Sequence, residues 1–252
     1  MTRKIVSIHS FRGGTGKSNI TANIATYIAS KGNRVGIIDT DIQSPGIHVI
    51  FGFDEHGISE SLNDYLWGRC GVEDIAYDVT NTVGIKKGEL YFIPSSMKVG
   101  EIARILREGY DAELLNDGLK KIMNIFGMGY LFIDTHPGLN EETLISAAIS
   151  DVFIIVLRPD NQDYQGTSIS LEVARRIGIT KASLVINKIP GSYDPVEVRA
   201  RIEEAYECKV IGAIPLSEDL AKTGSKEVFI LKNPSHIFSD AISEIAESIM
   251  GN

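Results

Sequence analysis

The stretch that most constrains this chain runs from Ser10 to Asn19 and reads SFRGGTGKSN. It follows the apolar run Ile5–Ile8 and opens into a helical pattern that continues to about Ser30. A strand, a glycine-rich turn and a new helix together cradle a polyphosphate, because backbone N–H groups turn inward and the helix N-terminus adds its dipole. A chance Gly-Lys-Ser in an ordinary turn would not account for the flanking strand and helix. The stretch therefore predicts nucleotide binding.

Individual residues of this loop have separate expected roles. Lys17 is expected to reach the β- and γ-phosphates, and the Ser18 hydroxyl to complete a Mg²⁺ shell. The usual pattern has a glycine five residues before the glycine of Gly-Lys-Ser, but that position is Phe11, so the loop is a variant. The predicted nucleotide-binding residues of the loop are Gly13, Gly14, Thr15, Gly16, Lys17, Ser18 and Asn19.

Composition bounds the class of protein. With 252 residues the chain is of ordinary size for an α/β domain, and we predict one domain spanning residues 1–252. The net charge of −8 repels DNA and anionic lipid on average, although a local basic patch could still bind either. Cys70 and Cys208 lie far apart without Cys-x-x-Cys spacing, so we expect ordinary thiols rather than a disulfide framework or a metal site.

No targeting segment is evident near the first residue. The apolar run after Lys4 is too short for a secretory signal and leads directly into the glycine-rich loop. The longest apolar runs, such as Val152–Leu157, are strand-sized and fall far short of the roughly 20 residues that a membrane span needs. We therefore expect a soluble, cytoplasmic protein.

Short β-branched runs alternate with helical patterns, which predicts a doubly wound, mostly parallel sheet with helices on both faces. The predicted strands are Ile5–Ile8, Val35–Ile38, Tyr130–Ile133, Val152–Leu157, Ala182–Ile186 and Val210–Ile214. The predicted helices are Lys17–Ser30, Asp111–Phe126 with Asp111 as its N-cap, about Gly166–Ile177, Pro195–Tyr206 and Pro234–Met250. Between them we expect short helices near Ser59–Trp67 and Val72–Tyr77, then a hairpin of Val83–Ile85 with Leu90–Ile93.

Polar residues follow several of these strands. Ligands bind outside the carboxyl ends of strands in open α/β sheets, and Asp39, Asp41, Asp134 and Asn187 lie at such ends. An aspartate after an apolar strand can hold Mg²⁺ directly or through water, so Asp39 and Asp134 join Ser18 as predicted metal residues. Either aspartate alone could simply end a strand at the surface. Asp41 is the candidate that orients a water against the γ-phosphate, with Asp39 in a supporting position.

At this point a resemblance becomes specific. The segments RGGTGKS, IIDTDIQSPG, FIDTHPG, VINK and GAIPLSED occur in the order and spacing of the MinD/ParA family of deviant Walker A P-loop ATPases. The similarity covers essentially the whole chain and is nearer to MinD than to plasmid ParA. It implies a face-to-face dimer that forms with ATP, holds Mg·ATP at its interface, and is reset by slow, partner-stimulated hydrolysis.

The resemblance also implies roles for matching residues. Lys17 would contact the phosphates, Asp41 would activate the water, and Asp134 would hold Mg²⁺ through water. Asn187 would read the adenine edge, with the loop at Pro215 closing over the base. An asparagine after a strand is also a common helix cap, which is the alternative for Asn187.

Two residues depart from the family pattern. Arg12 stands where the family has a signature lysine that reaches the partner's phosphates across the dimer, and its planar fork could act as an arginine finger. A solvated arginine without a role at an interface is the alternative. His136 stands where the family has a small residue or proline. It could sense pH or the γ-phosphate, or simply be a packed or solvated residue.

Several functions remain open on these residues. The leading hypothesis is an ATP hydrolase that, as an ATP-bound homodimer, recruits or positions a protein partner. Alternatives are a nucleotide-binding module with little hydrolysis, a ParA-like DNA-partition ATPase, and a relative of dethiobiotin synthetase that couples ATP to ligation. DNA binding is not favoured because residues 181–252 carry more acidic than basic side chains, and the acidic last helix gives no sign of a membrane anchor.

Overall fold

An eight-stranded sheet organises residues 3–179 and 181–251, the part of the chain that this computed structural model describes. Its strands are β1 (Lys4–His9), β2 (Arg34–Asp39), β3 (Tyr77–Asp78), β4 (Glu89–Ile93), β5 (Tyr130–Asp134), β6 (Val152–Leu157), β7 (Ala182–Ile189) and β8 (Val210–Pro215). They lie in the order β3-β4-β2-β5-β1-β6-β7-β8, and only the pairing of β3 with β4 is antiparallel. The carboxyl ends of the parallel strands therefore share one edge, with β1 between β5 and β6.

Helices cover both faces of this sheet. They are α1 (Lys17–Ser30), α2 (Leu62–Leu66), α3 (Thr80–Val83), α4 (Val99–Glu108), α5 (Ala112–Ile125), α6 (Glu141–Ala148), α7 (Asn161–Arg176), α8 (Pro195–Tyr206), α9 (Glu218–Lys222) and α10 (Ile237–Gly251), with a 3₁₀ turn at Ile47–Phe51. Alternate strand residues face opposite ways: Val6 and Ile8 pack with α1 and α10, whereas Ile5 packs with α5. The apolar side chains of α7 and α8 cover the α5 face beside β6 and β7. The predicted doubly wound α/β fold is confirmed.

The predicted single domain of residues 1–252 includes residues 1, 2, 180 and 252, which lie outside the described residues. Its extent stays a prediction. The sheet nevertheless draws its strands from positions between Lys4 and Pro215.

The helix after the glycine-rich loop begins and ends where the sequence predicts. Its apolar stripe of Ile20, Ile24 and Ile28 is fully buried. Gly16 precedes the first turn with φ +92°, a left-handed conformation that glycine adopts without the Cβ clash of other residues. A Cβ at Gly16 would also overlap the side-chain amide of Asn187. This glycine is therefore required both by the backbone and by the packing beneath the loop.

Caps explain where other helices start. Asp111 accepts hydrogen bonds from the N–H groups of Glu113 and Leu114, which confirms it as the N-cap of α5. Asp160 caps α7 in the same way, so this helix begins at Asn161 and not near Gly166 as predicted. α10 begins at Ile237 and not at Pro234 as predicted, and the Ile237 side chain is 56% exposed, whereas Ile242, Ile245 and Ile249 of the same helix are fully buried.

The helix predicted over Val72–Tyr77 is wrong. Residues 72–75 form a turn, which the Asp74 carboxylate closes by accepting a hydrogen bond from the Gly71 N–H at 2.8 Å. Tyr77 instead begins β3, where it lies opposite Phe92 of β4, and its hydroxyl accepts hydrogen bonds from the N–H groups of Ser59 and Glu60 at 2.9 Å. Contacts with distant residues thus override the local helical pattern.

The predicted hairpin of Val83–Ile85 with Leu90–Ile93 is also wrong in its first strand. β4 pairs antiparallel with β3, and Val83 ends the short helix α3 between them. The Val79 N–H donates to the Leu90 carbonyl at 2.9 Å and fixes the start of that helix beside β4. Three further helices, α4, α6 and α9, lie in segments for which the pattern predicts no helix.

Candidate nucleotide-binding site

The glycine-rich loop after β1 and the first turn of α1 line a cleft of about 270 Å³ at the carboxyl edge of the sheet. The lining contains every loop residue predicted to bind nucleotide, together with Asp41. Gly14 and Gly16 have φ +78° and +92°, which turns the backbone of the loop around the cleft. Arg12, Asp39, Asp134, Asn187 and Pro215 lie outside the lining, beneath or beside it.

Asp134 binds the two side chains that are predicted to contact phosphate and Mg²⁺. Its Oδ1 lies 2.7 Å from Lys17 Nζ, and its Oδ2 accepts a hydrogen bond from Ser18 Oγ at 2.7 Å. Thr21 adds a donor to Oδ1 at 3.2 Å. Asp134 and Lys17 are both buried, so this ion pair is largely shielded from water.

Asp39 lies next to this pair, since β2 and β5 pair with Asp39 opposite Asp134. Its Oδ1 accepts from the Asp41 N–H at 3.0 Å, whereas its buried Oδ2 has no hydrogen-bond partner. Burial, followed by the charges of Asp134 and Asp41, raises the pKa of Asp39 well above its ordinary value. An orphaned carboxylate oxygen beside a second carboxylate and a hydroxyl is a donor set that suits a hard cation.

The predicted metal residues thus fit Mg²⁺ as a site completed by phosphate. Within the described residues, no group of three or more His, Cys, Asp or Glu side chains forms a ready-made metal cluster. Mg²⁺ usually takes only one or two carboxylates from the protein and fills its remaining positions with water and substrate phosphates. Ser18, Asp39 and Asp134 are suited to that kind of site.

Asp41 is held at the rim of the cleft by two donors on a single oxygen. Its Oδ1 accepts from the Ser44 N–H at 3.1 Å and from His136 Nδ1 at 2.6 Å. The sequence places both His136 and Asp41 at strand ends but does not show that they meet. Their contact depends on the pairing of β2 with β5.

Arg12 lies away from the cleft of its own chain. Its guanidinium is 3.8 Å from Asp160 and 3.7 Å from Asp163, at the start of α7, and its side chain is 41% exposed. Arg158 binds the same Asp163 carboxylate through two nitrogens. A role for Arg12 across a dimer stays a prediction, and its position here is compatible with reaching outward.

Phe11, which makes the loop a variant, packs on α7. A Cβ at Gly166 would overlap the Phe11 ring, so the ring occupies space that only a glycine leaves open. The unusual residue of the loop is thereby matched by a glycine far along the chain. The Phe11 ring therefore holds the loop against α7.

The end of β7 braces the loop from below. Asn187 is buried and its Nδ2 donates to the Thr15 carbonyl at 2.7 Å, while Lys188 Nζ donates to the Gly14 carbonyl at 2.7 Å. Lys188 has φ +58°, an uncommon conformation for a residue with a Cβ. The sequence pattern does not single out Lys188, since a lysine after a strand is common. The adenine contacts of Asn187 and Pro215 stay predictions.

His9 lies under the loop, fully buried at the end of β1. Its Nδ1 is 3.3 Å from Thr135 Oγ1, and its ring stacks on Phe153 at 5.8 Å. Burial, followed by the charge of Lys17, lowers the pKa of His9 to about 3. The imidazole is therefore neutral in the folded protein at physiological pH.

This shift predicts an acid-sensitive stability. Between about pH 6.5 and pH 3 the unfolded chain binds a proton at His9 that the folded protein excludes, so the free energy of unfolding falls as the pH falls. The loss over that window is on the order of 4 kcal/mol. His9→Asn, which cannot titrate, is expected to flatten this part of the stability curve in urea unfolding. The same change at the exposed His56 serves as the control and should leave the slope unchanged.

The comparisons with known proteins identify the family. Residues 1–250 match the family model ParA, described as NUBPL iron-transfer P-loop NTPase. The chain belongs to this family. The predicted resemblance to MinD/ParA ATPases is thereby confirmed.

Individual relatives agree with this assignment. An uncharacterised ATP-binding protein of Methanocaldococcus jannaschii is 28% identical over 247 residues, covering 98% of this chain and 87% of that protein. The cell division ATPase MinD of Pyrococcus furiosus shares the fold with a TM-score of 0.82 and 23% identity, over 100% of this chain and 99% of that one. A MinC:MinD cell division complex of Aquifex aeolicus gives a TM-score of 0.79 and 23% identity, over 99% and 96%.

In residues 3–179 and 181–251, no helix combines enough length with enough apolar character to cross a bilayer.

Proposed function

We propose that this P-loop NTPase is a Mg²⁺-dependent ATP hydrolase of the cytoplasm that dimerises when it binds ATP and thereby recruits or positions a protein partner. One observation carries the proposal: Asp134 binds both Lys17 and Ser18, and these two residues line the same cleft as Asp41. Groups that bind phosphate, hold a cation and orient a water are thus brought to one edge of the sheet.

Each group has its own task in the proposed reaction. The N–H groups of residues 13–19 and the Lys17 ammonium bind the phosphate oxygens, which is where most of the stabilisation in phosphoryl transfer arises. Ser18 and the carboxylates of Asp39 and Asp134 would hold Mg²⁺, which when bound neutralises charge on the phosphates. Asp41 accepts a hydrogen bond from the attacking water and orients it in line with the γ-phosphate.

In the proposed dimer, each chain would supply a cation to the phosphate cleft of the other. Arg12 is exposed and contacts Asp160 and Asp163 instead of its own phosphate cleft. In a face-to-face dimer its fork of donors would reach the partner's phosphates, and cations supplied in this way raise hydrolysis rates by about 10³–10⁵-fold in related chemistry. Hydrolysis then becomes conditional on assembly, which makes ATP a switch.

A second cavity at the same edge of the sheet supports the proposal of a protein partner. It measures about 440 Å³, lies between α7 and α8, and is lined by Tyr164, Tyr193 and Tyr206 among others. Tyrosines are frequent anchors in protein interfaces, and Tyr193 is 53% exposed. The cavity wall includes Pro159 and Asn161, the neighbours of the Asp160 that contacts Arg12. A partner bound there would lie beside the arginine that the dimer uses.

The Asp41→Ala variant tests the proposal. It should bind ATP but lose about 10²-fold or more of the hydrolysis rate, so that the ATP-bound dimer accumulates. Size-exclusion chromatography with light scattering is expected to show a dimer with ATP and a monomer with ADP. A monomer with both nucleotides would overturn the switch. If the wild-type protein bound ATP but released no phosphate, the proposed hydrolase activity would be wrong. The alternative of a nucleotide-binding module would then be favoured.

A further inference from the structure

The contact between His136 and Asp41 joins two segments that follow neighbouring strands. His136 Nδ1 lies 2.6 Å from Asp41 Oδ1, and both side chains are largely buried, with 22% and 13% of their surface exposed. The β2 and β5 strands that precede them are paired in register. From this geometry we propose that His136 is a positioning residue that fixes the Asp41 carboxylate for hydrolysis.

The pattern of donors on Asp41 shows what such a bond achieves. Oδ1 accepts from both His136 and the Ser44 N–H, which determines the rotation of the carboxylate. No hydrogen bond from the described residues reaches Asp41 Oδ2, and Asp41 lines the cleft. One oxygen is therefore occupied by the protein, and the other is left to accept a hydrogen bond from the attacking water. A carboxylate that rotates freely would spend much of its time misaligned.

His136 is itself held firmly enough to do this. The hydroxyl of the buried Thr143 has one proton and lies within hydrogen-bond distance of three acceptors, which are Asn140 Oδ1 at 2.8 Å and the carbonyl oxygens of Gly138 at 3.1 Å and His136 at 3.4 Å. The Gly138 N–H donates to the Ser10 carbonyl at the start of the phosphate loop, 3.0 Å away. The imidazole therefore projects from a segment that is tied both to α6 and to the loop. Its position relative to Asp41 is set by the same backbone that sets the cleft.

A donor role can be separated from a packing role by the choice of variant. The side-chain amide nitrogen of asparagine is as many bonds from Cα as His Nδ1, so His136→Asn can restore the donor. In His136→Gln the amide nitrogen lies one bond further out, and His136→Ala removes the donor altogether. If His136 acted by volume alone, Gln would be the better replacement, since its side chain is the longer of the two.

The experiment measures kcat and KM for ATP hydrolysis in these three variants and the wild type. His136→Ala and His136→Gln are expected to lose roughly 10–100-fold in kcat with KM changed less than about threefold, as removal of a hydrogen bond to a charged group predicts. His136→Asn should recover most of that loss. Wild-type kcat in His136→Ala, or equal kcat in the Asn and Ala variants, would overturn the inference. So would a rise in KM at constant kcat.

The inference rests on the proposed hydrolysis, and Asp41→Ala measured alongside separates the two. Hydrolysis that is lost in Asp41→Ala but normal in His136→Ala removes only the role of His136. A wild-type protein without phosphate release removes the proposed function, and imidazole ¹⁵N shifts then test the contact itself. His136 is expected to carry its proton on Nδ1 in the wild type and to change its shifts in Asp41→Ala. Identical His136 shifts in the two proteins would overturn the positioning role.

Discussion

The Lys17→Ala variant is expected to lose ATP binding and also to unfold more easily in the absence of nucleotide. Lys17 Nζ lies 2.7 Å from Asp134, and the two side chains are only 7% and 2% exposed. Its removal leaves Asp134 buried beside Asp39 without a cation, and breaking such a pair on one side costs about 3–5 kcal/mol. ATP affinity should fall at least about 100-fold, because the ammonium that is proposed to bind the phosphates is lost. Urea unfolding and titration with a fluorescent ATP analogue measure the two effects.

Two further variants show whether the stability loss comes from the buried pair. Lys31→Ala removes an exposed lysine just beyond the last turn of the same helix, where Nζ lies over the Tyr27 ring, and should change the free energy of unfolding by less than about 1 kcal/mol. The double variant Lys17→Ala with Asp134→Ala should be more stable than Lys17→Ala, since it removes the uncompensated carboxylate. A double variant less stable than Lys17→Ala would show that Asp134 contributes through other contacts.

The Arg12→Ala variant is expected to keep ATP binding but to lose hydrolysis or dimerisation. Among the described residues, the Arg12 side chain forms ion pairs with Asp160 and Asp163 at the start of α7 and does not line the cleft, so ATP affinity of the monomer should change little. If Arg12 acts on the partner's phosphates, the rate should fall by about 10³-fold or more. Phosphate release and ATP-dependent sizing give the two readouts.

Arg158 offers a matched control for Arg12. It binds Asp160 and Asp163, the same two carboxylates, but its side chain is less exposed. If Arg12→Ala acted by disturbing the start of α7, Arg158→Ala should reproduce its effect. If Arg12 acts across the dimer, Arg158→Ala should retain ATP-dependent dimerisation and turnover. Unchanged turnover together with unchanged sizing in Arg12→Ala would remove the interface role.

The parts of the fold that follow from short-range physics are visible in the sequence. β-branched runs predict strands such as Val152–Leu157, and the Asp111 cap predicts the start of α5. The Val72–Tyr77 segment shows the limit of such patterns. Its helical appearance is overridden where Tyr77 pairs with Phe92 of β4, a contact that no local pattern contains.

The same division holds for the candidate site. Lys17 and Ser18 follow from one contiguous motif, and Asp41 and Asp134 follow from their places at strand ends. The ion pair of Asp134 with Lys17 and the hydrogen bond from His136 to Asp41 do not follow from the sequence pattern, because they depend on which strands become neighbours. A pattern along the chain shows which groups reach the edge of the sheet. It cannot show which of them touch there.

The packing of Phe11 against Gly166 means that the glycine-rich loop cannot be transferred alone to another protein. The ring needs a helix with no side chain at the point where it settles, and that helix is encoded far downstream. Grafting residues 10–19 onto another sheet would remove the contact of the Phe11 ring with Gly166, which holds the loop against α7. In engineering terms, a transferable unit has to include the part of α7 around Gly166 as well as the loop.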